Sequence, residues 1–489
     1  MFRSIQHRVA LTTALMAIVL SGTVLNTKPA ITHASRAAVD MNVTISVYTC
    51  CGSLEGFNDT NPTHLFAIHN LYAKLWAKMW PHLTWKETLI NDQASLETKL
   101  TLAVNAGNPP DMVFIQGGYI GFSVLRHLAQ PLDKYFAQYR ITDSYFLPGM
   151  ARWAHFGGHW WAIPAVSGPL AGQEVYLPKY MTPLGYNNSN LRTFDDYYQM
   201  SKKAVRFDKS GNLRRVGYWP GPSWGTMSRL MCPPGHGLYN RANQPTATDP
   251  CNVAWLSYLK KLSDLYGGGA KLGKFLSGDP DIWSGSPKDY MARGKILIAP
   301  SANAYWSITP FDNFTFGFRG GLTYQLTPLP PTAHGTLDEV SNYPSTQQLI
   351  IIPPGAKHPD QAFAVSKMIC WDYGYILGPS TNGSPVAKDQ EKWLSYMITG
   401  EAAARKRAGL PGNPAATLEG LKMQPKLARL SEAFNAINPV EIYYQEQLSK
   451  YTARALYGQM SPQAALAQVQ RLVVAQQQRL KAQYGAWNW

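Results

Sequence analysis

An α/β fold is the class this sequence predicts, on three observations. Runs of β-branched residues alternate with stretches of helically spaced apolar residues between positions 42 and 115, the order that builds a parallel sheet through crossover helices. The 489 residues are 45% hydrophobic and 15% charged, a balance that fills large cores and excludes a disordered chain. Five cysteines at that length exclude a small disulfide scaffold. At about 150 residues per domain, the length suits three domains or two large lobes of one architecture.

The amino terminus reads as an export signal over residues 1–34. Arg3, His7 and Arg8 form a basic start, and Val9 to Leu20 is apolar apart from Thr12-Thr13. Small residues at Ala30, Ala34, Ala37 and Ala38 offer cleavage neighbours. The apolar run is too short to span a bilayer, and no later stretch approaches a span. No cysteine occurs before Cys50, so a lipid-bearing leader cysteine has no candidate and a soluble exported protein is expected. Removing residues 1–34 takes away Arg3, Arg8 and Lys28 and lowers the formal charge from +15 to +12. The remaining cations are scattered through the sequence, which suits attraction to an anionic envelope and argues against nucleic acid.

Asn42 to Tyr48 (NVTISVY) alternates as a strand should. Leu65, Ile68, Leu71, Leu75 and Met79 then predict a helix over Thr63–Trp80, ended by Pro81, and Leu83 to Leu89 is a second strand. A helix from Gln93 to Ala106 stops at Gly107, and the turn Asn108-Pro109-Pro110-Asp111 leads to a strand over Met112–Ile115. In that turn the prolines stiffen the backbone, and the Asp111 carboxylate is placed to hold nearby amides. His155 and His159 flank Gly157-Gly158 and read as loop histidines rather than helical metal ligands. Asp195-Asp196 reads as a solvated helix start. Cys232 and Cys251 bracket a loop rich in Pro, Gly and Asn and are the best disulfide candidates in an exported chain. Neither a metal-ligand spacing nor a cofactor motif is found.

The run ETKLTLAVNAGNPPDMVFIQGG (97–118) resembles a hallmark of the extracellular solute-binding proteins of ATP-driven importers, family 1, sugar-binding type. Further resemblances follow in order: Trp161-Ala162-Ile163-Pro164, YMARGKILIAP (290–300) with Tyr305 and Trp306, Thr327-Pro328-Leu329-Pro330, QQLIIIP (347–353) with the helix 358–371, and the closing helical segment 455–480. The resemblance implies a two-lobed periplasmic-binding-protein-like (type II) fold, each lobe discontinuous, with a ligand cleft between them. One lobe would combine residues 41–160 with 350–388, the other 161–349 with 389–489. It also implies a monomer that hands a small-molecule ligand, a sugar, to the permease subunits of an ABC importer.

Aromatic residues supply the ligand candidates. The chain holds 15 Trp, 27 Tyr and 17 Phe, more than cores usually require. Sugar rings stack an apolar face on an indole, while their hydroxyls need amide, carboxylate or backbone partners. Trp160, Trp161, Trp224, Tyr305 and Trp306 stand in turn-like surroundings. Tyr119 opens a loop after the third strand, and Asn303 follows the strand Ile296–Ala299 with both donor and acceptor atoms. The expected ligand residues are therefore Tyr119, Trp161, Trp224, Asn303, Tyr305 and Trp306. No phosphate-cradling Gly-Lys-Ser/Thr loop occurs. Two functions fit these residues: a non-catalytic binding protein, or a secreted carbohydrate-active enzyme using the same aromatics as sugar subsites.

Overall fold

A computed structural model describes residues 39–50, 77–90, 92–146, 151–167, 173–176, 178–187, 189–221, 232, 236–278, 290–291, 293–300, 325–328, 348–372, 384–385, 437–485 and 487. Strand β1 (Thr44–Cys50) is followed by β2 (Thr84–Ile90), helix α1 (Gln93–Asn105) and β3 (Met112–Gln116). Of the helix expected over Thr63–Trp80, only residues 77–80 are described: 77–79 are helical and Trp80 is not. A short 3₁₀ turn, Gly117–Tyr119, leads into α2 (Ile120–Leu125), then α3 (Asp133–Tyr139), the hairpin β4 (His155–Phe156) and β5 (His159–Trp160), and β6 (Ile163–Ser167). Next come β7 (Gln173–Tyr176), α4 (Pro178–Met181), α5 (Phe194–Ala204), β8 (Arg206–Phe207) and β9 (Leu213–Tyr218). After these lie α6 (Pro250–Leu265), α7 (Gly269–Leu276), β10 (Ile296–Pro300) and β11 (Gln325–Pro328). The chain closes through β12 (Gln348–Ile351), α8 (Pro359–Lys367), β13 (Ser384–Pro385), α9 (Glu441–Leu456) and α10 (Pro462–Tyr484).

Two sheets organise these elements into the two-lobed α/β fold. The first has the order β13-β6-β12-β3-β1-β2, with β2, β1 and β3 parallel and β12 antiparallel to both β3 and β6. The second has the order β11-β7-β10-β9-β8, with β9 and β10 parallel. The sequence grouping placed residues 161–167 with the second lobe. Backbone pairing of β6 with β12 and β13 puts that strand in the first sheet, so the chain changes sheet between Ser167 and Gln173.

The first core lies between α1, α3, α8 and the first sheet. Ile45 and Val47 of β1, Leu96 and Leu100 of α1, and Met112 and Val113 of β3 are all fully buried, and α1 and β3 both contact β1. An aromatic cluster fills the far side: Phe136 stacks on Trp160 at 3.8 Å, and Phe363 and Trp371 meet Phe136 edge-on at 5.6 Å each. The Trp371 indole N–H is satisfied by the Pro164 carbonyl at 2.8 Å, which ties the turn after α8 to β6. Cys370 beside it is a buried free thiol whose pKa burial pushes up.

Asp111 knots three segments of this lobe. Its carboxylate accepts from the Ser46 amide (2.8 Å), the Ser46 hydroxyl (2.8 Å) and the His358 amide at the head of α8 (2.7 Å). The side chain is 2% exposed, so it meets these amides where water cannot. The turn before β3 is thus architectural in the manner its sequence indicated.

In the second lobe, α5 starts with a capping box in which the Thr193 hydroxyl accepts from the Asp196 amide and the Asp196 carboxylate accepts from the Thr193 amide. Its last turns lie so close to β9 that a Cβ on Gly217 would stand 2.5 Å from the Ser201 Cα. Cys232 and Cys251 are disulfide-bonded, anchoring the Pro-rich loop to the start of α6. Helices α9 and α10 pack together and on α6, burying Tyr444, Leu448 and Ala455 from one and Leu466, Val469 and Val473 from the other. Ser461 caps α10 and Pro462 occupies its first turn, the order a helix start favours.

Candidate functional site

In open α/β sheets, ligands sit beyond the carboxyl ends of the parallel strands, because loops and helix amino termini leave unpaired backbone groups there. In the first sheet that edge is Gly117-Gly118-Tyr119, directly after β3. It abuts the chain entering the second lobe. A Cβ on Gly121 would lie 3.2 Å from the Asn438 carbonyl carbon and the Ile437 side chain, and one on Gly118 would lie 3.5 Å from Glu441 Cγ. Leu125, at the end of α2, is buried in the hydrophobic core of the second lobe. The missing side chain at Gly121 is therefore what lets the two lobes approach this closely.

Side chains on the second-lobe side of this junction are polar and fixed. The Glu441 carboxylate accepts from the Tyr239 hydroxyl at 2.5 Å and from the Gln445 amide at 2.8 Å. Asn438, 1% exposed, donates to the Asn243 carbonyl at 2.9 Å and accepts from the Val440 amide at 3.0 Å. Asn243 itself takes φ +56 and donates to the Ile437 carbonyl at 3.1 Å. Tyr239 packs edge-on against Tyr444 at 5.3 Å, whose own hydroxyl donates to the Leu238 carbonyl and whose pKa burial raises.

Behind Tyr119 lies a buried carboxyl. Glu97 of α1 is 5% exposed, and its pKa is raised to about 7, chiefly by burial; the Ser123 hydroxyl and the Arg126 charge pull the other way and are outweighed. Ser123 Oγ stands 2.9 Å from Glu97 Oε1 and 3.0 Å from the Tyr119 carbonyl oxygen. A serine hydroxyl carries one proton. It can go to either oxygen, and donation to Glu97 is the arrangement that favours the ionised carboxylate. Burial outweighs that bond, so the shift is upward.

The expected ligand residues divide into three groups. Tyr119 is half-buried at the junction. Trp161 is not beside it. Gln116 and Val166 both pair with Gln348, so the carboxyl ends of β3 and β6 share one edge, whereas Trp161 precedes β6 and falls at the opposite edge. Five residues of strand separate Trp161 from Val166, about 16 Å at the usual rise. Its indole N–H donates to the Phe156 carbonyl at 3.1 Å, and its backbone amide to Ala154 at 2.7 Å. Trp224, Asn303, Tyr305 and Trp306 lie outside the described residues. Trp160 is core: it is 6% exposed, between Phe136 and the His155 ring, which stacks on it at 4.4 Å.

His155 and His159 sit on the β4–β5 hairpin, and the Nδ1 of each meets a carboxylate, Asp143 at 2.7 Å and Asp133 at 2.9 Å respectively. Among the described residues no group of three His, Cys, Asp or Glu is placed to hold a metal ion. Glu441 and Tyr239 were missed in the sequence. Asn438-Pro439 before a helix is the one local signal that pointed at their segment.

The reading of the sequence as free of a Gly-x-Ser-x-Gly motif, which weighed against catalysis, is wrong: Gly221-Pro222-Ser223-Trp224-Gly225 carries that spacing of a hydrolase nucleophile elbow. Residues 222–225 lie outside the described ones. The preceding strand, β9, is flanked by antiparallel β8 and parallel β10, in a sheet of mixed direction.

No family model matches the chain. It is similar to a maltotriose-binding protein of Pyrococcus abyssi, with 22% identity over 348 residues, 67% of each chain. Among solved structures it is similar to the sugar-binding protein MalE of Xanthomonas citri (13% identity, 91% of this chain and 100% of that one, TM-score 0.62). It is also similar to an ABC substrate-binding protein of Listeria monocytogenes in complex with cycloalternan (12%, 88% and 98%, TM-score 0.62) and to CpMnBP1 with mannotriose bound (17%, 88% and 100%, TM-score 0.58). The chain shares the two-lobed fold of these proteins.

Proposed function

We propose that this chain is an extracellular solute-binding protein that captures an oligosaccharide between its two lobes and delivers it to the permease of an ATP-driven importer. The observation that carries the reading is the junction itself: the carboxyl edge of β3 meets the head of α9 through glycines, within a fold shared along about nine-tenths of the chain with proteins solved holding sugars. Closing two lobes over a ligand by bending at their connections needs such a contact on one side of a cleft.

On this reading Tyr119 supplies one wall. Trp224, which follows β9, and Asn303, Tyr305 and Trp306, which follow β10, supply the other. Strands β9 and β10 are parallel, which supports a common edge for the two loops. Trp161 is left out of the ligand set, and Glu441 and Tyr239 are added to the junction. The lobes are residues 41–160 with 350–388 and 161–349 with 389–489, amended by the move of β6 to the first. Residues 1–34 direct export, and the protein acts outside the cell as a monomer, without a cofactor.

The test is a thermal-shift titration with maltotriose, mannobiose and cycloalternan, each mixture then separated by chromatography. A rise in melting temperature with the sugar recovered intact supports capture. Cleaved sugar would instead establish a glycoside hydrolase, whose chemistry calls for a carboxyl pair rather than the serine of a Gly-x-Ser-x-Gly segment.

A further inference from the structure

The strongest unassigned feature is a cavity of about 260 Å³ at the edge of the second sheet opposite Tyr218 and Pro300. It opens where β9 and β10 begin and where α7 passes over them, and it is lined by Arg214, Lys271, Lys274 and Lys295 with Phe275 and Tyr290. None of the described lining residues is acidic. The cations come from three separate segments, so a charge that is scattered in the sequence is gathered by the fold.

Each part of the lining is held in place. Arg214 is fixed by Asp208, its guanidinium lying 2.6 and 2.9 Å from one carboxylate oxygen. Asp208 also accepts from the Asn212 and Ser210 amides, and its pKa is lowered to about 2, chiefly by the Asn212 amide, so the anchor stays ionised. Lys295 Nζ lies 4.0 Å from the centre of the Tyr290 ring, and Lys271 Nζ lies 5.7 Å from that of Phe207. Phe275 and Leu272 root α7 in the core, which leaves Lys271 and Lys274 on its outer face.

We propose that this cavity is a second ligand site, separate from the lobe junction, that takes a phosphate-bearing anion. The three lysines around the concavity repel one another, the Arg214 charge being paired with Asp208, and an anion of two charges relieves that repulsion. A phosphate group presents several acceptor oxygens to an arginine fork and to lysines at once, whereas a carboxylate offers two. The volume exceeds that of a bare phosphate, and the Phe275 and Tyr290 rings leave apolar wall for a short carbon chain such as that of a glycerol phosphate. The group can arrive on a soluble phosphate ester or on the head of an anionic lipid.

Isothermal titration of the whole protein with glycerol 3-phosphate, and flotation with phosphatidylglycerol vesicles against phosphatidylcholine vesicles, separate those sources. Saturable binding of the free ester, weakened by salt, identifies a soluble ligand; binding to phosphatidylglycerol vesicles alone identifies the lipid head. In either case K271E/K274E should lose about tenfold or more in affinity, while the charge-matched control K202E/K450E keeps it. If K271E/K274E melts abnormally, K271Q/K274Q carries the same comparison. Absence of binding to both probes at low salt overturns the proposal, as does an equal loss in the control, which would assign the effect to diffuse charge.

Discussion

Replacing Glu97 by glutamine should stabilise the protein above neutral pH and change little in acid. The folded carboxyl has its pKa raised to about 7 from 4.5, with burial as the main cause. Between those values the folded chain holds a proton that the unfolded chain has released, so stability is greatest below 4.5, falls as pH rises through the interval, and is flat above it. An interval of about 2.5 pKa units corresponds to about 3 kcal/mol at 1.36 kcal/mol each. The group is 5% exposed, so little solvent screening reduces that figure. Glutamine has the shape of the protonated acid and brings no charge to bury. Urea unfolding of both proteins at several values from pH 4.5 to 8 should show wild type losing about 3 kcal/mol relative to the variant as pH rises. Parallel profiles across that range would mean that Glu97 does not titrate there, and the reasoning from its burial would fail.

Asp111→Ala should cost about 3 kcal/mol, because the amides of Ser46 and His358 would both be left buried without an acceptor; chemical unfolding measures it, and sugar affinity should hold in the folded fraction. Replacing Cys232 and Cys251 together by serine opens a link between positions 19 apart and should lower stability by about 3 kcal/mol, read as a fall in melting temperature equal to that caused by reductant. Gly217→Ala should destabilise by about 3 kcal/mol, since its methyl would overlap the Ser201 backbone rather than a movable side-chain tip; a normal melting temperature would refute that close approach. Trp306→Ala should weaken binding of a confirmed sugar by about 1–3 kcal/mol in titration calorimetry, by analogy with aromatic stacking on bases, and unchanged affinity would remove the residue from the ligand set.

How far the sequence could be read depended on whether a signal was local. Strands β1 to β3 and helix α1 announce themselves through period and punctuation, and their ends fall within two residues of the expected positions. The role of Asp111 was legible for the same reason, since a Pro-Pro-Asp turn limits where its carboxylate can point, although its third donor, 247 residues away, was not. The placement of β6 failed because an edge between lobes is drawn by hydrogen bonds across the sheet, and no feature of Ile163–Ser167 itself says which sheet it joins.

The aromatic residues expose the deeper limit. Trp160 and Trp161 follow the same Gly-Gly turn and look alike in sequence, yet the hairpin sends one ring between Phe136 and His155 and leaves the other half-exposed. Alternation along a strand tells which neighbours diverge, but which face is the core is settled by α3, whose Phe136 arrives from 24 positions earlier. Glu97 repeats the point on a helix: one residue after Leu96 it reads as solvated, and only burial in the fold raises its pKa, against the pull of the Ser123 hydroxyl. Chemistry at the lobe junction therefore rests on residues whose partners come from other elements. A reading confined to periodicity finds the elements that carry such residues and cannot rank the residues themselves.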